Sequence, residues 1–306
     1  MKKLALIFFV FALPFTVNAK NLWAFLTYST FNSPQGPYVE TYLTVAGNSV
    51  KYVTTTSGKF QATVNILMTF KLKDEIKAFK KYELKSPEIA DTLSQNYEFL
   101  DEQRFQLPNG TYDFDFQISD KNKEAKPTPY TQFVVVDFPT EQPSVSGIQF
   151  VKSYAKSETE KTITKSGFDI VPYVYNFYPA TESKVIFYAE IYNTDKLMSD
   201  GDKYVLSYYI ESFETRIKFF EYTRMKKNTV RPVDVLLAEF NVENLATGNY
   251  NLVVEARNQK NEIVASRKAF FQRKNPGAKL SFANMTLENI TNTFAEKITS
   301  FDSLKE

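Results

Sequence analysis

Leu107-Pro108-Asn109-Gly110-Thr111-Tyr112 runs into Asp113-Phe114-Asp115-Phe116-Gln117-Ile118, and Leu245-Ala246-Thr247-Gly248-Asn249-Tyr250 runs into Asn251-Leu252-Val253-Val254-Glu255-Ala256. Leu, Gly and Tyr recur at a constant offset of 138 residues. Each copy is a corner followed by an apolar stretch. Gly permits the left-handed backbone that a tight corner needs. The Tyr ring then enters the core while its hydroxyl reaches back to the corner's backbone, the tyrosine corner of Greek-key sandwiches. Both stretches end in polar turns, Asp120-Lys121-Asn122-Lys123 and Asn258-Gln259-Lys260-Asn261, and lead to further aromatic strands, Thr131–Phe138 and Ile263–Phe271. The duplication predicts an all-β chain of two tandem immunoglobulin-like or fibronectin-III-like β-sandwiches.

Outward from these corners the chain alternates with period two, as half-buried strands do. Phe60 to Leu72 places Phe60, Ala62, Val64, Ile66, Met68, Phe70 and Leu72 on one face, with Leu67 alone breaking the polar face. Tyr38–Val45, Val185–Tyr192, Tyr204–Ile210 and Val235–Val242 read the same way. Glu75–Lys85 fits a helix by Ile76, Phe79 and Leu84, and a strand by the shared parity of Ile76, Ala78, Tyr82 and Leu84; the strand is preferred. Prolines at 139 and 143 mark the boundary between sandwiches, and Arg273-Lys274-Asn275-Pro276-Gly277 closes the second. The expected organisation is a signal over 1–19, sandwiches over 20–140 and 141–275, and a linker with an amphipathic helix over 276–306. In that last part Leu287, Ile290, Phe294, Ile298, Phe301 and Leu304 form an apolar stripe at helical spacing. Its expected use is docking, on the second sandwich or on a further domain, the latter being preferred.

The first nineteen residues have the three parts of an export signal. Lys2 and Lys3 are followed by the apolar run Leu4 to Val17, and Val17-Asn18-Ala19 suits cleavage between Ala19 and Lys20. That run is short for a membrane span and is interrupted by Pro14. Cleavage removes two lysines, so the formal net charge falls from +2 to zero. A neutral mature chain has no electrostatic attraction for phosphate backbones. The expectation is an exported bacterial protein, periplasmic, in the cell envelope or extracellular, with no transmembrane segment after cleavage and no nucleic-acid partner. Arg224-Met225-Lys226-Lys227 reads as a solvated loop tip.

Cys and His are both absent. Disulfides, thiolate or imidazole metal sites and histidine triads are thereby excluded. Asp113 and Asp115 alternate with phenylalanines and read as a solvated strand face. Asp195, Asp200 and Asp202 in a polar loop leave a weak calcium site open, although they offer fewer oxygens than the six to eight calcium takes, and Asp200-Gly201 is by itself a hairpin signal. Glu88, Asp91, Asp101 and Glu102 are the acids a carboxylate-only hydrolase would use, but their spacing aligns none across a cleft. No phosphate-binding loop or nucleophile elbow is present. No catalytic residue, metal ligand or cofactor is assigned. The remaining feature is aromatic: Tyr173, Tyr175, Tyr178, Tyr208 and Tyr209 lie on both parities, so some face outward or enter an interface. They form the candidate interaction surface, for a protein partner or the junction between sandwiches in the preferred reading, for a glycan in the alternative.

Three further stretches carry a family resemblance: Phe31-Asn32-Ser33-Pro34-Gln35-Gly36-Pro37-Tyr38-Val39-Glu40-Thr41-Tyr42, Tyr82-Glu83-Leu84-Lys85-Ser86-Pro87-Glu88, and Phe99-Leu100-Asp101-Glu102-Gln103-Arg104-Phe105 ahead of Leu107-Pro108-Asn109-Gly110. With them the mature chain resembles the amino-terminal region of secreted GWxTD-domain proteins of Bacteroidetes. The resemblance implies β-sandwich modules ahead of a separate C-terminal domain, and it brings no catalytic residue with it. The Gly-Trp-x-Thr-Asp signature is absent, since the only tryptophan, Trp23, precedes Ala24. The expectation is therefore the front portion of such a protein or a shortened relative: a non-enzymatic scaffold of interaction modules.

Overall fold

The computed structural model describes residues 22–92, 97–124, 126–159, 161, 163–196 and 202–278. The signal with its Ala19–Lys20 cleavage point and the stripe Leu287, Ile290, Phe294, Ile298, Phe301 and Leu304 lie outside these residues. Among the described residues every regular element is a strand, apart from two short 3-10 turns.

The first sandwich comprises β1 (Ala24–Ser33), β2 (Gly36–Ala46), β3 (Tyr52–Thr54), β4 (Phe60–Leu72), β5 (Glu75–Lys85), β6 (Glu98–Gln106), β7 (Gly110–Asp120) and β8 (Thr128–Val136). One sheet runs β1-β2-β6; the other runs β5-β4-β7-β8, with β3 pairing the start of β4. This three-on-four division of a Greek-key chain is a fibronectin-III-like topology. Alternation explains its core. Val64, Ile66, Met68 and Phe70 of β4 point inward with Tyr112, Phe114, Phe116 and Ile118 of β7, against Val39, Leu43 and Val45 of β2. Phe70 stacks on Phe114 with ring centroids 4.3 Å apart. A two-residue turn at Lys73 and Asp74, both with positive φ, joins β4 to β5. Such a turn matches strand twist and decides the helix-or-strand ambiguity of Glu75–Lys85 in favour of a strand.

The second sandwich repeats the scheme with β9 (Ser144–Val145), β10 (Gln149–Lys156), β11 (Thr164–Lys165), β12 (Phe168–Pro172), β13 (Phe177–Pro179), β14 (Lys184–Tyr192), β15 (Lys203–Ser212), β16 (Lys218–Thr229), β17 (Val233–Asn241), β18 (Gly248–Arg257) and β19 (Ile263–Lys274). Its β14, β15, β16, β17, β18 and β19 occupy the places of β2, β4, β5, β6, β7 and β8. One addition matters for function. Beyond Val151 the register of β10 shifts, and the strand leaves β14 to form a hairpin with β12 and β11. Arg224–Lys227 lie inside β16, paired with Leu206–Tyr208 and Val205 of β15, and so are not a loop tip. Their side chains are solvated because β16 is a sheet edge, where basic residues also discourage pairing with a foreign strand.

Both tyrosine corners form. The Tyr112 hydroxyl donates to the Pro108 carbonyl at 2.7 Å and the Tyr250 hydroxyl to the Ala246 carbonyl at 2.9 Å. The glycines serve a different purpose from the one expected, since neither has a positive φ. A Cβ on Gly248 would stand 3.0 Å from the Tyr250 hydroxyl, and one on Gly110 would stand 3.4 Å from the Tyr112 ring. Glycine is there to let the ring lie against the corner.

Candidate functional site

Strand β2 is buried on both faces from Val39 to Val45. Its inner face belongs to the first core. Its outer face carries Tyr38, Glu40, Tyr42 and Thr44, in register with Arg104 and Glu102 of β6 and with Ser29 and Thr27 of β1. What covers that face is the second sandwich: its β10-β14 sheet and the inserted hairpin. Phe31, Val151, Ile170 and Tyr188 make an apolar cluster between the two units. The two sandwiches also touch through backbone, the Gly147 N–H donating to the Thr30 carbonyl at 2.7 Å.

At the centre of the junction sits Lys165, the last residue of β11. Its ammonium donates to Glu40 of the first sandwich, to Gln149 Oε1 at 2.6 Å and to the Tyr42 hydroxyl at 3.1 Å. The same nitrogen lies 4.3 Å from the centre of the Phe31 ring, a cation–π contact. Glu40 also accepts from the Tyr42 hydroxyl and from Arg104 Nε, the latter at 2.5 Å. The Glu40 side chain is 0% exposed and that of Lys165 is 4% exposed. Burial works to raise the Glu40 carboxyl, but the charges of Lys165 and Arg104 hold it below the ordinary range. Burial likewise draws the Lys165 ammonium down, against the pull of Glu40. Glu102 is the odd member. Burial and the neighbouring Glu40 charge push it up to about 8; neither of its buried oxygens has a hydrogen bond, and Arg104 Nη2 stands 3.5 Å from one. A proton held there spares the junction a second buried negative charge.

The network contains acids and bases, and its charged members Glu40 and Lys165 are buried. It joins side chains of both sandwiches, Glu40, Tyr42 and Arg104 from one and Gln149 and Lys165 from the other. A second polar lock lies beside it, where Tyr188 and Tyr192 both donate to Glu190, and the Asn32 N–H of the first sandwich donates to the Tyr192 hydroxyl at 2.9 Å.

The five tyrosines singled out in the sequence do not form one surface. Tyr178 is 1% exposed, Tyr209 5% and Tyr173 9%, which removes these three as a stacking platform for a glycan. Tyr178 fills the second core with Tyr173 stacked on it at 4.6 Å. Tyr208 packs against Phe187 and Phe240. Tyr209 donates to Glu255 at 2.6 Å beneath the Lys218 ammonium. Tyr175 is at the junction: its hydroxyl donates to Glu98 of the first sandwich, and its ring meets Phe25 edge-on at 4.7 Å. The parity pattern left the partners open because the residues alternate between a core and a neighbouring unit.

Among the acids, Asp101 and Glu102 fall on opposite faces of β6. Asp101 accepts from Tyr82, and Glu88 accepts from Ser57 at 3.0 Å. Asp115 is paired with Lys71 at 2.7 Å on the outer face of β7. Asp195 lies in the 3-10 turn Thr194–Lys196, and Asp200 is outside the described residues. Among the described residues no three potential metal ligands converge. The residues missed by sequence reasoning are Glu40, Gln149 and Lys165. A signal existed for the first: Tyr38 and Tyr42 flank Glu40 on the face that alternation leaves to water, and two large rings beside an acid mark a covered face.

No protein-family model and no curated protein sequence matches the chain. Among solved structures it is similar, at 11% identity and a TM-score of 0.27, to a glycosyl hydrolase family 2 member from Bacteroides cellulosilyticus, with 76% of this chain and 26% of that one covered. It is similar to the fibronectin(III)-like modules of Clostridium thermocellum CbhA at 10% identity and a TM-score of 0.22, covering 81% and 91% of the two chains. A DUF3823 family protein from Bacteroides ovatus aligns at 12% identity and a TM-score of 0.24, covering 72% and 94%. The chain thus spans about a quarter of the length of the hydrolase.

Proposed function

We propose that the protein is a non-enzymatic, exported envelope scaffold, in which two β-sandwiches locked back to back present a rigid body to a protein partner or a further domain. The reading places it beside the amino-terminal regions of secreted GWxTD-domain proteins. The observation that carries it is the buried Lys165–Glu40 pair. Charges are placed in an interior only where partners satisfy them, and Lys165 reaches Glu40 only when both sandwiches are docked. A hinge or substrate cleft between domains would leave such a pair in water. Glu88 and Asp101 are held in structural hydrogen bonds and Glu102 lies on the opposite face of β6 from Asp101, which supports a role without turnover.

Differential scanning calorimetry tests the rigid-body reading. The chain is expected to unfold in one cooperative transition. Gly147→Ala, whose Cβ would fall 2.6 Å from the Thr30 backbone nitrogen, is expected to split it into two. Two transitions in the unaltered chain, unmoved by Gly147→Ala, would show two independent domains and end the proposal.

A further inference from the structure

Beside the ion network a cavity of about 360 Å³ opens along the junction, bounded by Thr27–Thr30 of β1 and Arg267–Phe270 of β19. Its size is at the lower end of small-molecule sites. No aspartate or glutamate lines it, while Arg267 and Lys268 do. Lys268 is already matched, its ammonium 2.7 Å from Glu211. Arg267 is not. It is half-buried and makes no ion pair among the described residues; Nε and Nη2 both donate to the neutral Val145 carbonyl, at 3.3 and 3.1 Å. Burial lowers its pKa despite the fields of Asp137 and Tyr28. A partly desolvated guanidinium without a counter-ion is unfavourable, and its planar fork suits a carboxylate.

Tyr28, Tyr175 and Asn176 also line the cavity, adding aromatic surface and an amide. One uncompensated positive charge matches a monoanion; phosphate would bring an excess of negative charge.

We propose that this cavity binds a small organic monocarboxylate of the size of a sugar acid, held by the Arg267 guanidinium, with its body against Tyr28, Tyr175 and Asn176. Isothermal titration of the full chain with galacturonate (ring) and gluconate (open chain) tests it, with galactose and inorganic phosphate as comparisons. Saturable heat is expected for at least one sugar acid, with galactose weaker by about tenfold or more, the value of a charge-assisted hydrogen bond. Arg267→Gln is expected to lose a similar factor while its melting temperature stays near that of the parent. Arg267→Lys, which keeps the charge without the fork, is expected to fall between. Absence of heat with both acids, equal binding of galactose, preferential binding of phosphate, or unchanged affinity in Arg267→Gln would each overturn the assignment. The calorimetric transition that tests the scaffold reading is a separate measurement, so the two can fail independently.

Discussion

Replacing Lys165 by Met keeps the length of the side chain and removes its charge. Three acceptors lose their donor at once: Glu40, Gln149 Oε1 and the Tyr42 hydroxyl. Removing one member of a buried ion pair costs about 3–5 kcal/mol, because the other charge stays buried and unpaired. Arg104 still holds Glu40 at 2.5 Å, which places the expected loss at the lower end, about 3 kcal/mol. With a urea dependence of about 3 kcal/mol per molar, the unfolding midpoint falls by about 1 M. Lys184→Met is the matched comparison. It breaks a pair with Glu239 whose side chains are 51% and 39% exposed, and its midpoint should barely move, as for other solvated pairs. Lys165→Met combined with Glu40→Leu should recover part of the loss, since no buried charge is then left alone and Arg104 can turn to solvent. Urea unfolding followed by Trp23 fluorescence and circular dichroism reads all three. If Lys165→Met moved the midpoint no further than Lys184→Met, the junction would be solvated in solution and the locked arrangement wrong.

The titration of Glu102 gives a second expectation. Its pKa is raised from 4.5 to about 8 by burial and by Glu40, so folding takes up a proton. Its contribution is fully present below pH 4.5 and is lost as pH rises through about 8. Glu102→Gln should flatten that decline and be the more stable protein on the alkaline side; parallel stability curves for the two would contradict the buried placement. At the corners, Tyr112→Phe and Tyr250→Phe each remove a hydroxyl bound to a backbone carbonyl, at 2.7 and 2.9 Å. Each should cost about 1 kcal/mol, read as a fall in melting temperature, and a shift at only one corner would show that the repeat is not energetically equivalent.

The back-to-back arrangement follows from what the outer face of β2 contains. An isolated sandwich would present Tyr38, Glu40 and Tyr42 to water. Here the inserted hairpin brings Lys165 to Glu40 across 125 positions of sequence, and Phe31 and Tyr188 close over the same spot. Gly147 then allows backbone to meet backbone at Thr30. Apolar burial supplies most of the attraction between the units. The ion pair, which gains little net energy once desolvation is counted, confines them to one docking geometry.

The local chemistry of the chain was enough to establish the class of fold. Alternation in Phe60–Leu72, the duplicated Leu-x-x-Gly-x-Tyr corners and the polar breaks at 139–143 are short-range properties, and strands and corners are built from short-range properties. Tertiary structure alone decided which of a strand's two faces is dry. Period two shows that β2 has two faces; it cannot show that a hairpin more than a hundred residues away covers the polar one. The same limit applies to the tyrosines, because a ring's exposure depends on the neighbour that arrives and not on its parity. Glu40, Gln149, Lys165 and Arg267 acquire their roles only when two sandwiches meet, since electrostatics in a protein is set by desolvation and distance, and neither is written in the order of residues along the chain.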